Sequence, residues 1–524
     1  MSLDQIAYPE WTEYRSKSGL DPLGMQNSSI NLYQRLLPGI SNVTLRMRYY
    51  GLYAWLAAVH AKEGSRTTDQ RDWQQLVRRA EALYALAAVL GGDEAGVAGS
   101  RWARRKLDEG SDQISFSENA DPDGSGVPYL KQAWGAYGAA YGSQLFEIGV
   151  LAQAEQHDVP VPSMEVGDAL ADAFLSAVGN VADRYYGAVQ RGTVTRKELD
   201  ELAPVLPSGI GRTSTERRLY ETLLFARGHI QRPEDFARRD TLMLLLHAAG
   251  HFREMPQIDA VRWLLYASSS ADGRRLSLSA ENLRQQQVRW WVYQANDLLH
   301  FSYETLLKFV LDTLADHPTG LTVSALIEEC VAAISEAAPS WPTSWEEFCR
   351  QTKPAGNAAT EEEDGERYLS SLDGMDDRAG ARCTAECAWA ALKLLAIVEQ
   401  RAATDLAAIN QELGLLDPHF FRSLVTETSY LSTLKNQDFA GSVGKIIERR
   451  VVNRHLWVAH RKFRYQGDYT FLIEADDGRV RLRDTSGPVF TNPRLGPALS
   501  FLQDIHLIDE QGLTELGRNL VAEQ

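Results

Sequence analysis

Apolar residues recur three and four positions apart along most of this chain, the period of an amphipathic helix. The stripe is plainest from Leu45 to Val59, where Tyr49, Leu52, Tyr53 and Leu56 share a face. The same period predicts helices over Trp73 to Leu90, Ala169 to Val189, Leu219 to Phe225, Phe236 to Leu246 and Leu321 to Ile334. From Ser279 to Leu314 the chain has neither glycine nor proline, which predicts one very long helix. Ser277 and Ser279 are its candidate caps, and Asp316-His317-Pro318 is its stop. A helix that long serves as a spine with shorter helices packed along it.

The pattern breaks in four places. Gly135, Gly138, Gly142 and Gly149 interrupt a helical stretch, at a cost of ~1 kcal/mol each relative to alanine. Their spacing points to close helix packing, with a ligand slot as the alternative. Ser111 to Pro128 is rich in Ser, Asp, Gly and Pro and reads as a loop. Residues 353–380 carry Glu361, Glu362, Glu363, Asp364, Glu366, Asp373, Asp376 and Asp377 with few large apolar residues, so a mobile acidic segment is expected there. After a helical run from Phe439 to Phe463, Tyr469 to Glu474 and Val480 to Leu482 alternate around Asp476-Asp477-Gly478, a β-hairpin pattern. A helix from Arg494 to Gln503, a short strand through Leu507-Ile508 and a further helix after Leu513-Thr514 complete the cadence of a winged-helix unit.

The expected fold is therefore mainly α: a multi-helix bundle with a small C-terminal α+β, winged-helix-like unit. The expected divisions are 1–320, 321–435 and 436–524. No repeat appears at solenoid periods. With 54 Lys and Arg against 70 Asp and Glu, the net charge of −16 excludes a chain-wide nucleic-acid coat. Four cysteines make no disulfide framework and point to a reducing compartment. The opening Met1-Ser2-Leu3-Asp4-Gln5 lacks a secretory layout, and Leu242 to Gly250 falls far short of the ~20 residues that span a bilayer. A cytoplasmic protein without a membrane partner is expected.

Against that acidic background, Lys445, Arg449, Arg450, Arg454, Arg461, Lys462 and Arg464 face a single acid, Glu448, with Trp457, Phe463 and Tyr465 interleaved. Such a patch suits phosphate contact with aromatic support. A solvated helix face, or docking on acidic protein, is the alternative. His247 and His251, with Glu254 three further on, match metal-ligand spacing on a helix, and His300 with Glu304 offers a second i, i+4 pair. The glutamate of the H-E-x-x-H motif is absent, because Ala248 follows His247. Cys383 and Cys387 form no C-x₂-C knuckle, and burial is expected of them.

The densest signal is Leu37 to Tyr50, with Pro38-Gly39 as a turn and Ser41 or Asn42 as a helix cap. Arg46 and Arg48 point about 200° apart on a helix, so one of them needs a buried partner, with Asp21 and Glu63 as candidates. Guanidinium groups among aromatics bind phosphate, or else anchor one helix to another. The pattern P-G-x-S-x-x-T-x-R-x-R-Y-Y, carried by Pro38, Gly39, Ser41, Thr44, Arg46, Arg48, Tyr49 and Tyr50 and followed by Trp55, resembles the opening of poorly characterised bacterial proteins. Their genes sit beside helicase, methyltransferase or nuclease genes in phage-defence islands. Arg289-Trp290-Trp291-Val292-Tyr293-Gln294-Ala295 is a second echo of them. The resemblance covers under a tenth of the chain and brings no catalytic motif. It implies a setting, defence or a DNA-linked assembly.

The chain has no G-x₄-G-K-[ST] loop, no G-x-G-x-x-G after a strand, no G-x-S-x-G elbow and no paired nuclease core on a sheet. The leading expectation is a non-catalytic, cofactor-free helical adaptor, a DNA-associated subunit working with an ATPase, helicase or nuclease. The alternatives are a metal-dependent hydrolase or nuclease using His247, His251, Glu254 and His300, and a kleisin-like bridging subunit of an ATPase complex.

Overall fold

Residue by residue, the helix Glu281–Ala315 sets the architecture. Every residue from Trp290 to Asp312 is buried, so this helix is enclosed on all sides instead of resting one stripe on a core. The helices Gln26–Leu36, Pro233–Phe252, Ile258–Ala267, Val323–Ala337, Ala385–Thr404 and Leu406–Leu413 pack around it. The computed structural model describes residues 21–62, 69–155, 158–228, 232–270, 272–352, 382–404, 406–413 and 423–523. The acidic segment 353–380 lies outside them.

The long helix begins and ends where composition places it, but Ser277 and Ser279 do not cap it. Ala280 is the capping position, and Arg284 binds the carbonyls of Leu278 and Ser279. Ala169 to Val189 is two helices, Gly167–Val178 and Val181–Arg191, parted at Gly179, whose φ of +64° disfavours a side chain. The stretch 111–128, expected as loop, contains the strand Gln113–Ser115, paired antiparallel with Thr193–Thr195, and the helical turn Ser117–Ala120. Three residues are too few to show a period. Four two-stranded sheets complete the described structure, which is otherwise mainly helical.

A second packing centre is built on the helix Arg48–Lys62. Every residue from Arg48 to Ala57 is buried between Gly167–Val178, Gln70–Leu90 and Thr215–Leu224. At Gly51 a Cβ would run into the Tyr220 hydroxyl and the Phe174 ring, so this position holds the three helices close. One contiguous apolar core joins both centres.

Near the C-terminus, Ile473–Asp476 pairs with Arg479–Leu482 around Asp477-Gly478. That hairpin is tied to the end of the spine by the Leu321–Val480 bridge. The helix Leu495–Asp504, the two-residue strands Ile508–Asp509 and Gly512–Leu513, and the helix Glu515–Ala522 follow, packed on Pro233–Phe252. Among the described residues no helix is long and apolar enough to cross a membrane.

Candidate functional site

The Pro38–Tyr50 segment is drawn into the interior. Gly39 takes φ +77°, its amide donates to Glu147, and its carbonyl accepts from the Tyr50 hydroxyl at 2.7 Å. Ser41 and Thr44 bond each other in a turn and do not cap the helix, which starts later, at Arg48. Neither arginine uses Asp21, and Glu63 lies outside the described residues. Arg46 reaches Asp504 at 3.0 Å and Asp93 at 3.3 Å, while Asp504 also accepts from the Met47 amide. Arg48 is wholly shielded and paired with Glu216. Tyr49 and Tyr50 are fully buried, with the Tyr49 ring 4.5 Å from that of Tyr141, and Trp55 packs beside Phe174. Their guanidinium and ring faces are thus spent inside the protein.

Beside them Glu81 accepts four hydrogen bonds, from the Tyr53 and Tyr129 hydroxyls and the Ala136 and Tyr137 amides. Gly135 stands against this carboxylate with φ +59°, where a Cβ would meet Glu81 and Tyr129. The glycine marks close packing on the Gln70–Leu90 helix.

The basic run divides in two. It spans the helices Phe439–Ile446 and Asn453–Gln466, joined by a π-helical insertion over Ile447–Val452. Arg450 and Arg454 turn inward onto Glu427, which is 1% exposed. Lys445 donates to Gln437, and the Lys462 ammonium donates to the Asp21 carbonyl at 3.0 Å. Arg449, Arg461 and Arg464 are exposed. So are Trp457 (51%), Phe463 (51%), Tyr465 (75%) and Tyr469 (44%), which are all the aromatic residues among the exposed large hydrophobic side chains of the described residues. Arg461 lies 5.3 Å over Trp457, Arg464 5.7 Å over Tyr465 and Arg483 5.7 Å over Tyr469. Tyr469 and Arg483 belong to this ridge, although the sequence marks Tyr469 only as the start of a strand.

The histidines do not gather as their spacing implies. His251 meets Ser270 at 2.7 Å, and His247 is half-buried, its pKa pushed down by burial. Their helix ends at Phe252, and left-handed Arg253 (φ +58°) carries exposed Glu254 off the helical face. His300 lies elsewhere, on the spine. Its Nε2 is 2.8 Å from Glu304 Oε1 and its Nδ1 is 3.6 Å from Asp297 Oδ1. Burial alone would lower its pKa, but Glu304 and Asp297 outweigh that and hold it well above the usual imidazole value. Among the described residues, the His, Cys, Asp and Glu donors that converge in a group of three are Asp21, His300 and Glu304.

The four cysteines are free. Burial pushes the Cys330 and Cys349 thiols up to about 12, which leaves them unreactive. Two cavities, of about 590 and 650 Å³, are lined by Asp235 and Arg238 and by Glu399 and Lys435 respectively, and neither lining includes a histidine. Asp235 and Arg238 are paired at 2.9 Å, so that charge is already compensated. Compared with known proteins, the chain matches no family model, no curated protein and no solved structure.

Proposed function

We propose that this protein is a non-catalytic helical scaffold that contacts single-stranded nucleic acid through the ridge formed by Trp457, Arg461, Phe463, Arg464, Tyr465 and Tyr469. The observation that carries the reading is that, among the described residues, the exposed aromatic side chains are confined to residues 457–469, interleaved with exposed arginines. Leaving an aromatic ring in water forgoes roughly 1.5–3 kcal/mol of burial, so a cluster of them needs a use. Base stacking at ~1–3 kcal/mol per ring, with arginines at the phosphates, is such a use, and it tolerates any sequence. Unpaired bases suit this surface better than duplex, whose bases are stacked on one another.

The order helix, hairpin, helix over 495–522 supports a winged-helix-like ending. The setting implied by the resemblance of the Pro38–Tyr50 segment, a bacterial phage-defence system with an ATPase, helicase or nuclease partner, belongs to the same reading. The test is fluorescence anisotropy of a labelled single-stranded oligonucleotide across a salt series. Binding should weaken with a log–log slope near −2 for about three phosphate contacts. Trp457→Ala with Tyr465→Ala should weaken it ~10-fold or more while leaving circular dichroism unchanged. Absence of binding at low salt would overturn the reading.

A further inference from the structure

Enclosing a helix on every side obliges each polar residue on it to find a partner. Along the buried span of the spine most do. Asn296 bonds Ser29 and the Leu424 amide, Asp297 takes Arg262 and Thr491, and Lys308 reaches Asp312 and Thr485. His300 and Glu304, with the Tyr303 hydroxyl between them, are the exceptions. His300 is 0% and Glu304 2% exposed, yet both imidazole nitrogens and Glu304 Oε1 make no hydrogen bond. Their 2.8 Å approach lacks hydrogen-bond geometry. Glu304 Oε2 does have a partner, the Val489 amide at 3.1 Å, which fixes the carboxylate with Oε1 turned toward the imidazole.

Asp21 closes the group from outside the spine. It is held in a left-handed conformation, φ +38°, with one carboxylate oxygen accepting from the Met25 amide and its carbonyl accepting from Lys462. The donor atoms of Asp21, His300 and Glu304 all lie within 4.8 Å of one another. Bonds of ~2.0–2.2 Å to one tetrahedral ion place its donors about 3.4 Å apart, so the widest pair here closes by at most about 1.4 Å on binding.

We infer that Asp21, His300 and Glu304 bind one divalent transition-metal ion of the Zn2+ class, fastening the segment before Gln26–Leu36 to the spine. The imidazole argues against Mg2+ and Ca2+, which take oxygen donors. Three protein donors leave a fourth position, completed by water in a tetrahedral Zn2+ site. Asp297, facing Nδ1, sits where an outer carboxylate orients a metal-bound histidine. The competing arrangement is a metal-free imidazolium held between Asp297 and Glu304.

Full-length protein, purified with and without chelator and re-equilibrated with Zn2+, is assayed by elemental analysis, and the stripped protein is titrated with Co2+ and followed by its visible d–d absorption. One equivalent of metal per chain and a saturable Co2+ spectrum are expected, with Mg2+ unable to compete. Asp21→Asn, at a half-buried position, and Glu304→Gln should each weaken Zn2+ binding by more than the ~10–100-fold typical of outer-sphere changes, with circular dichroism checking that each variant folds. His251→Ala should bind as wild type. Less than a tenth of an equivalent after Zn2+ loading, or undiminished affinity in both carboxamide variants, would overturn the site in favour of the imidazolium.

Discussion

Arg48 and Glu216 meet in a two-point ion pair, Nε to Oε1 and Nη2 to Oε2 each at 3.1 Å, with both side chains wholly screened from water. The third guanidinium arm donates to the Leu206 carbonyl, and the Tyr220 hydroxyl donates to Glu216. Removing one member strands a charge in the interior. Arg48→Met or Glu216→Leu alone is expected to cost about 3–5 kcal/mol, and the double variant less than the sum. Urea unfolding of the three variants measures this, and strict additivity would mean that the pair is not coupled.

Arg454 and Arg461 share one helix but not one fate. Arg454→Ala leaves buried Glu427 with Arg450 as its remaining ion-pair partner among the described residues, so stability should fall by about 2–4 kcal/mol. Arg461→Ala should change stability by under ~0.5 kcal/mol, yet lower the salt slope of oligonucleotide binding by about 0.7. Thermal melts and anisotropy on the same preparations separate the two roles.

His455 is buried as a neutral ring. Its Nε2 accepts from the Leu472 amide at 2.9 Å, and its Nδ1 faces the Pro22 carbonyl at 3.2 Å. Burial lowers its pKa to about 4, against which the Pro22 contact is the lesser influence. The unfolded chain takes up a proton near pH 6.5 that the native state refuses until about 4. The stabilisation is therefore complete above the unfolded value and declines as pH falls through that window, by about 3 kcal/mol in all. Unfolding free energies of wild type and His455→Asn from urea titrations should converge by that much between about pH 7 and about pH 4. A constant difference would show that the ring is not held neutral.

Glu81 presents two oxygens to four donors. In Glu81→Gln an amide NH2 must face N–H or O–H groups, which should cost about 1–3 kcal/mol. Tyr129→Phe removes only one donor and should cost nearer ~1 kcal/mol. Differential scanning calorimetry ranks the two, and equal losses would count against the hub.

What could be read along the chain, and what could not, divides by range. The spine was legible because its marks are local: no glycine or proline from Ser279 to Leu314, then Asp316-His317-Pro318. The hairpin at Asp477-Gly478 was legible for the same reason. The strand Gln113–Ser115 was not, since its partner Thr193–Thr195 comes after four further α-helices and another strand pair. Of the group Asp21, His300 and Glu304, the i, i+4 pair His300 and Glu304 could be seen on a helix, but nothing along the chain joins Asp21 to it. The basic run could be counted, yet which arginines face water depends on Glu427 and on the π-helical insertion at Ile447–Val452.

By itself, then, the order of residues determined the helices, the spine's length, the turn chemistry and the acidic balance, because propensity and periodicity act between near neighbours. Tertiary packing alone decided the partners. Arg46 answers to Asp504 across 458 positions, Arg48 to Glu216 across 168, and among the described residues the aromatics Trp457, Phe463, Tyr465 and Tyr469 are left exposed. Charges and rings choose their neighbours by burial and distance, and those exist only once the chain has closed on itself.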